Sequence, residues 1–173
     1  MDGFDVRFRE VQKFSQIWLW IVNIGSVLFM FGIMTLVTKE AINASGKPDI
    51  PQDLIWGWIL AVFFSFLMIG LFVVANMVTE VREDGIYVRL FPFHRTFRRL
   101  PFETLKSYEV RTYDPIGEYG GWGIRGFRGN MAYNVRGNQG VQLEFQDGRR
   151  LLIGSQKPEE LCMAIDTAAK QIV

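Results

Sequence analysis

Residues 17–37 read IWLWIVNIGSVLFMFGIMTLV, and residues 54–78 read LIWGWILAVFFSFLMIGLFVVANMV. Neither stretch contains a charged side chain, and each is as long as the roughly 20 apolar residues that an α-helix needs to cross a bilayer. A helix in the core of a soluble protein rarely stays uncharged over such a length. The two stretches therefore predict a transmembrane hairpin, residues 17–78, with spans at 17–37 and 54–78.

A secretory signal sequence is the alternative for the first stretch. Such a signal has a shorter apolar core, a basic start and a cleavage site of small residues. Here the apolar stretch is longer and rich in aromatic residues, and it follows the acidic residues Asp2, Asp5 and Glu10. These features favour a membrane span.

Basic residues near the ends of the spans predict the orientation of the hairpin. The connection 38–53 contains only Lys39 and Lys47. More basic residues lie outside the hairpin: Arg7, Arg9 and Lys13 before it, and Arg82, Arg89, Arg95, Arg98 and Arg99 after it. We therefore expect a protein of the plasma (cytoplasmic) membrane with both termini cytoplasmic, segment 1–16 included, and with loop 38–53 outside.

Small residues recur every fourth position in the second span, at Gly57, Ala61 and Ser65, so that they share one helix face. Such a face lets two helices approach closely. It predicts either packing within the hairpin or self-association of two copies. Two helices without an intramembrane charge are a poor candidate for a transporter.

The remaining chain, residues 79–173, has the pattern of a soluble β-rich domain. Residues 79–91, TEVREDGIYVRLF, predict a hairpin with a turn at Asp84-Gly85. Further strands are expected at 94–100, 105–113, 140–146 and 149–155, with a long glycine-rich loop at 117–133. A helix should begin at Pro158 and end near Ile172, with an apolar stripe at Leu161, Ile165, Ala168 and Ile172.

The charged and nucleophilic residues give little indication of catalysis. Lys and Arg number 19 against 18 Asp and Glu, a balance that argues against a nucleic-acid partner. The sole cysteine, Cys162, lies on the apolar side of the predicted helix, and the sole histidine, His94, has no second ligand at metal-binding spacing. We therefore expect no enzyme activity, no catalytic or metal site and no cofactor.

The segment from Tyr119 to Arg128 carries aromatic and basic residues among glycines. A surface formed by Tyr119, Trp122, Arg125 and Arg128 could bind an acidic or peptide partner or lie against the membrane. Alternatively, its aromatic residues enter the core and the glycines form bends. A second candidate is the basic cluster Arg95, Arg98 and Arg99, which either contacts anionic lipid headgroups or is a solvated strand edge.

The sequence also resembles a known class of domain. The motifs GIYVRLFPF, RRLPFETLKSYEV, GGWGIR and GVQLEFQDGRRLLIGSQKPEELCMAI are similar to bacterial pleckstrin-homology-like (PH-like) domains. More narrowly, the chain resembles an uncharacterised prokaryotic family of membrane proteins with two spans before such a domain. The resemblance implies an α+β membrane protein whose soluble part is a partly open antiparallel β-barrel with a C-terminal helix.

Together these observations predict a membrane-anchored, non-enzymatic binding or scaffolding protein. Its expected partners are membrane lipids, with another membrane protein or a second copy as further candidates. The alternative function is an accessory subunit of a membrane transporter or enzyme complex.

Overall fold

Two long apolar helices, α1 (Ile17–Ser45) and α2 (Gln52–Val74), form one unit, Ser15–Val74, of a computed structural model that describes residues 5–46, 49–127 and 129–171. Their most apolar windows have mean hydropathies of 2.0 and 2.5. Only 6% and 11% of those windows are buried. By length and composition, both helices could cross a membrane.

The helix bounds differ from the predicted spans. Helix α1 continues beyond residue 37 to Ser45, because the polar segment after Val37 contains good helix formers such as Glu40 and Ala41. It stops at Gly46, whose φ of 62° and N–H bond to the Ile42 carbonyl (3.1 Å) form a left-handed cap. Helix α2 ends at Val74 rather than at residue 78, because the chain from Asn76 onward pairs as a strand.

The small residues of α2 pack within the hairpin. Ala61 and Ser65 are buried, and a Cβ added to Gly57 would lie 2.9 Å from the Met34 methyl group of α1. Trp58 Nε1–H donates to Thr38 Oγ1 across the two helices, at 3.0 Å. These contacts agree with packing within the hairpin, the first of the two alternatives, and self-association of two copies stays a prediction.

The second unit combines the chain up to Phe14 with the chain from Ala75 onward. Its first sheet is antiparallel and has the strand order β1 (Val6–Lys13), β2 (Asn76–Arg82), β3 (Gly85–Phe91) and β4 (Arg98–Pro101). The predicted hairpin is present, although its connecting residues are Glu83 and Asp84. The strand expected at 94–100 begins only at Arg98, because a turn closed by His94 N–H to the Leu90 carbonyl (2.8 Å) precedes it.

Strand β1 was not predicted, since segment 1–16 was expected to be separate from the soluble domain. Its inward-facing positions are Phe8, Glu10 and Gln12, all buried. Two of these three residues are polar, so the strand lacks the apolar alternation that marks a half-buried strand. Segment 1–16 thus contributes an edge strand to the unit that follows the helices.

The second sheet is mixed and consists of β5 (Leu105–Thr112), β6 (Gly123–Phe127), β7 (Asn130–Asn134), β8 (Gln139–Phe145) and β9 (Arg150–Gly154). Its strand order is β5-β8-β9-β7-β6. Strands β7 and β9 are parallel, so the predicted wholly antiparallel pairing was wrong, and the two sheets do not close into a barrel. The segment expected as a long loop contains the β6–β7 hairpin.

The C-terminal helix α3 (Pro158–Ala169) packs on the core shared by both sheets. Leu161, Ile165 and Ala168 are buried, as the apolar stripe predicted, while Ile172 lies outside the described residues. The Tyr108 hydroxyl of β5 donates to Asp166 of α3, at 3.0 Å. Burial, together with this hydrogen bond, raises the pKa of Tyr108 to about 12.

Candidate binding surface

The structure brings together two of the four residues proposed from the glycine-rich segment. The half-buried Trp122 donates its Nε1–H to the Gly137 carbonyl, at 3.1 Å. The exposed Arg125 donates its Nε–H to the Trp122 carbonyl, at 2.9 Å. The Trp122 indole is thus held by the connection between β7 and β8, and the Arg125 guanidinium lies against the Trp122 backbone.

The other two residues are placed differently. Tyr119 is buried, with its ring centroid 5.9 Å from that of Tyr113 and its hydroxyl 3.4 Å from Gln142 Oε1. It belongs to a small core cluster rather than to an exposed surface, so the proposed surface was wrong at this position. Burial raises the pKa of Tyr119 above its ordinary value. Arg128 lies outside the described residues.

Glycine at position 126 has a specific steric cause. Gly126 adopts a φ of 99° in edge strand β6, and a Cβ at this position would lie 2.2 Å from the Asn130 carbonyl oxygen. No L-residue fits this backbone without a shift of the hairpin. The glycines therefore shape a tight β6–β7 hairpin, in line with the structural alternative for this segment.

The basic cluster after β3 does not act as one group. Arg99 forms an ion pair with Asp84 (Nε to Oδ2, 2.8 Å), and Arg98 donates to the Tyr133 hydroxyl. Arg95 is exposed and forms no ion pair with a residue that the structure describes. Of the three arginines, Arg95 is therefore the one most accessible to an external anion.

The turn between β3 and β4, residues 92–97, also exposes an aromatic ring that sequence reasoning missed. Phe93 has 68% of its surface exposed. Its neighbour His94 points inward, with its ring centroid 5.6 Å from that of Tyr133. Burial, and then the nearby charge of Arg98, lower the pKa of His94 below its ordinary value. A Pro-Phe pair followed by basic residues was the available signal for an exposed aromatic turn.

Strand β1 is fastened to the segment before α3. The buried Glu10 carboxylate accepts hydrogen bonds from Ser155 Oγ (2.6 Å) and from the Gln156 N–H (2.8 Å). Gln12 Nε2–H donates to the Gly154 carbonyl, at 2.8 Å. These contacts join the Gln12 end of the first sheet to the Gly154 end of the second.

The described residues contain no group of three or more His, Cys, Asp or Glu side chains that could hold a metal ion. His94 and Cys162 are each half-buried, and burial raises the pKa of the Cys162 thiol. A thiol with a raised pKa is a weak nucleophile near neutral pH.

In chain order, the two-helix hairpin lies between the paired strands β1 and β2 of an α+β unit. This arrangement defines the class of architecture. The model of a family of unknown function (DUF6141) matches residues 3–172, so the chain belongs to this family. Comparisons with curated proteins and with solved structures found no match.

Proposed function

We propose that the chain is a membrane-anchored, non-enzymatic binding or scaffolding protein. In this proposal α1 and α2 cross the plasma membrane, and the sheet unit is a PH-like domain at the cytoplasmic surface. The observation that carries the proposal is the exposure of two long apolar helices, whose most apolar windows are only 6% and 11% buried. So much uncovered apolar surface needs an apolar solvent, and the bilayer supplies one.

Two other origins of apolar helices fit the structure less well. A core helix of a soluble protein would be mostly buried, unlike α1 and α2. A cleaved signal sequence would take β1 with it, although β1 pairs with β2 from Val6↔Arg82 to Lys13↔Asn76. Loss of β1 would also leave Ser155 and Gln156 without their Glu10 partner.

The strand pairing supports an even number of membrane crossings. Lys13 precedes α1 and Asn76 follows α2, and the two residues are direct partners in one sheet. Both ends of the hairpin must therefore start from the same side of any membrane that it crosses. Two spans satisfy this condition, and the surrounding basic residues favour the cytoplasm as that side.

A PH-like assignment is supported by the architecture of the sheet unit. A four-stranded and a five-stranded sheet meet without closing, and α3 contributes Leu161, Ile165 and Ala168 to their common core. This arrangement fits the partly open barrel with a C-terminal helix that the resemblance implies. The Trp122–Arg125 pair is the proposed protein-binding surface, since accessible tryptophan and arginine are the residues most enriched at binding hot spots.

Thiol labelling of the full chain in intact cells tests the topology. Single-cysteine variants are made in a Cys162→Ala background, with Asp49→Cys in the helix connection and Glu109→Cys on exposed strand β5. We expect a membrane-impermeant maleimide to label Asp49→Cys from outside and Glu109→Cys only after permeabilisation. Labelling of Glu109→Cys from outside, or release of the chain by alkaline carbonate, would refute the proposal.

A further inference from the structure

Chain connectivity marks one end of the first sheet. Lys13, Asn76 and Phe91 are partners at the same level of three neighbouring strands. Because strands lie about 4.8 Å apart, Phe91 is about 5 Å from Asn76 and about 10 Å from Lys13. The chain enters α1 at Ile17 and leaves α2 at Val74, so this level is where the sheet connects to both helices.

The turn 92–97 starts at this same level, directly after Phe91. It carries Phe93, which is 68% exposed, and the exposed Arg95. Lys13, also exposed, adds a second positive charge at this end of the sheet. An apolar ring next to cationic side chains suits the boundary between acyl chains and anionic headgroups.

The opposite end of the sheet has a different character. The β2–β3 connection there is formed by the acidic residues Glu83 and Asp84. Strand β2 has seven residues, so this connection lies roughly 20 Å from the Lys13 level. Arg99 pairs with Asp84 at this opposite end, so the charges there partly cancel, and an anionic surface would be attracted most to the Lys13 end.

We propose that the β3–β4 turn is an interfacial membrane anchor, in which the Phe93 ring enters the headgroup boundary and Arg95 binds an anionic lipid headgroup. This inference rests on the proposed function, because it requires that α1 and α2 cross the bilayer. The anchor fixes the tilt of the sheet unit on the membrane.

Fluorescence quenching in vesicles of defined composition tests the anchor. The full chain carries Cys162→Ala and one NBD-labelled cysteine, at Thr96→Cys on the turn, Phe127→Cys at the far hairpin tip, or Leu28→Cys in α1. Phe127, 84% exposed, is the matched distal control, because the β6–β7 tip lies away from the Gly154 end that Gln12 contacts. Leu28, 67% exposed, reports on insertion of the hairpin.

We expect headgroup nitroxide lipids to quench the label at position 96 and the bilayer to shield it from aqueous iodide, with the reverse at position 127. Phe93→Ser should make the label at position 96 accessible to iodide in every lipid mixture. Arg95→Gln should lower the ratio of docked to undocked turns about fivefold, and only in vesicles with anionic phosphatidylglycerol.

The outcomes separate the two proposals. If the label at position 28 escapes acyl-chain quenchers, the hairpin does not span the bilayer and the proposed function fails. If position 28 is quenched but positions 96 and 127 are equally open to iodide, only the anchor is overturned. The anchor is also overturned if Phe93→Ser leaves the label at position 96 unchanged, since proximity would then come from the tether alone.

Discussion

Lys13 and Asn76 are direct partners in an antiparallel pair of strands, although the whole helical hairpin lies between them in sequence. The hairpin is therefore an insertion within a folded sheet rather than an anchor attached to one end of it. Three residues, Phe14–Gln16, lead into α1, and Ala75 alone follows α2.

The Glu10 contacts predict a stability effect. Glu10→Ala should lower the free energy of unfolding of the sheet unit by about 1–3 kcal/mol, because Ser155 Oγ and the Gln156 N–H lose their buried acceptor. Unfolding of the full chain in detergent can be followed through labelling of Cys162, the only cysteine and a residue of α3. Glu109→Ala, at an exposed site on β5, is the matched control and should change stability by less than about 0.5 kcal/mol. Equal effects of the two substitutions would contradict the assigned role of Glu10.

His94 predicts a loss of stability in mild acid. Its pKa in the folded chain is lowered, first by burial and then by Arg98, so the unfolded chain binds a proton that the folded chain does not. Neutral His94 makes its full contribution to the free energy of unfolding above the ordinary pKa of about 6.5. That contribution is lost as the pH falls below this value. The unfolding midpoint, again from Cys162 labelling, should drop between about pH 7.5 and about pH 5.5. His94→Gln should reduce that drop, and an unchanged drop would assign the acid sensitivity to other groups.

The glycines at positions 126 and 120 should respond differently to alanine. Gly126→Ala should cost roughly 2–4 kcal/mol, because strain at positive φ adds to a clash with the Asn130 carbonyl. Gly120→Ala should cost only about 1 kcal/mol, since φ is also positive there but no atom lies within 4 Å of the new Cβ. Denaturant unfolding of both variants measures the difference, and equal costs would show that the hairpin relaxes around the clash.

Trp122 and Tyr119 offer a test of core against surface. Tyr119→Ala should cost about 3–5 kcal/mol, because the ring is buried in the small cluster with Tyr113. Trp122→Ala should cost less, about 1–2 kcal/mol, since its ring is half-buried and makes one hydrogen bond to Gly137. If Trp122→Ala folds yet loses a partner that the wild-type chain retains in pull-down, Trp122 belongs to a binding surface. A cost equal to that of Tyr119→Ala would place Trp122 in the core.

Long uncharged stretches and regularly spaced apolar residues were sufficient to predict much of this fold. The uncharged stretches predicted both helices, and the alternation of Val141, Leu143 and Phe145 predicted a buried strand. Leu161, Ile165 and Ala168 predicted the buried face of α3. In β8 and α3 one face of the element is apolar and buried, so local sequence and tertiary burial agree. The two helices are apolar on every side, so their length and composition alone identify them.

The remaining features depend on contacts that local patterns do not encode. Strand β1 is held by polar groups, since Glu10 and Gln12 face inward and bond to a segment at the other end of the chain. The β6–β7 hairpin has glycine at positions where apolar residues would normally mark a strand. For the site, Trp122 and Arg125 were found from composition, but the burial of Tyr119 follows from its ring contact with Tyr113.

The inserted hairpin has a consequence for the order of events during synthesis. Strand β1 leaves the ribosome first, yet its partner β2 follows only after α1 and α2 have been made. At about 5–20 residues per second, β1 waits several seconds as an unpaired, polar strand. Its contacts with Ser155 and Gln156 form only after the chain has been made as far as Gln156. Closure of the sheet unit is therefore a late step of folding, and a chain stalled in the hairpin would expose β1 without a partner.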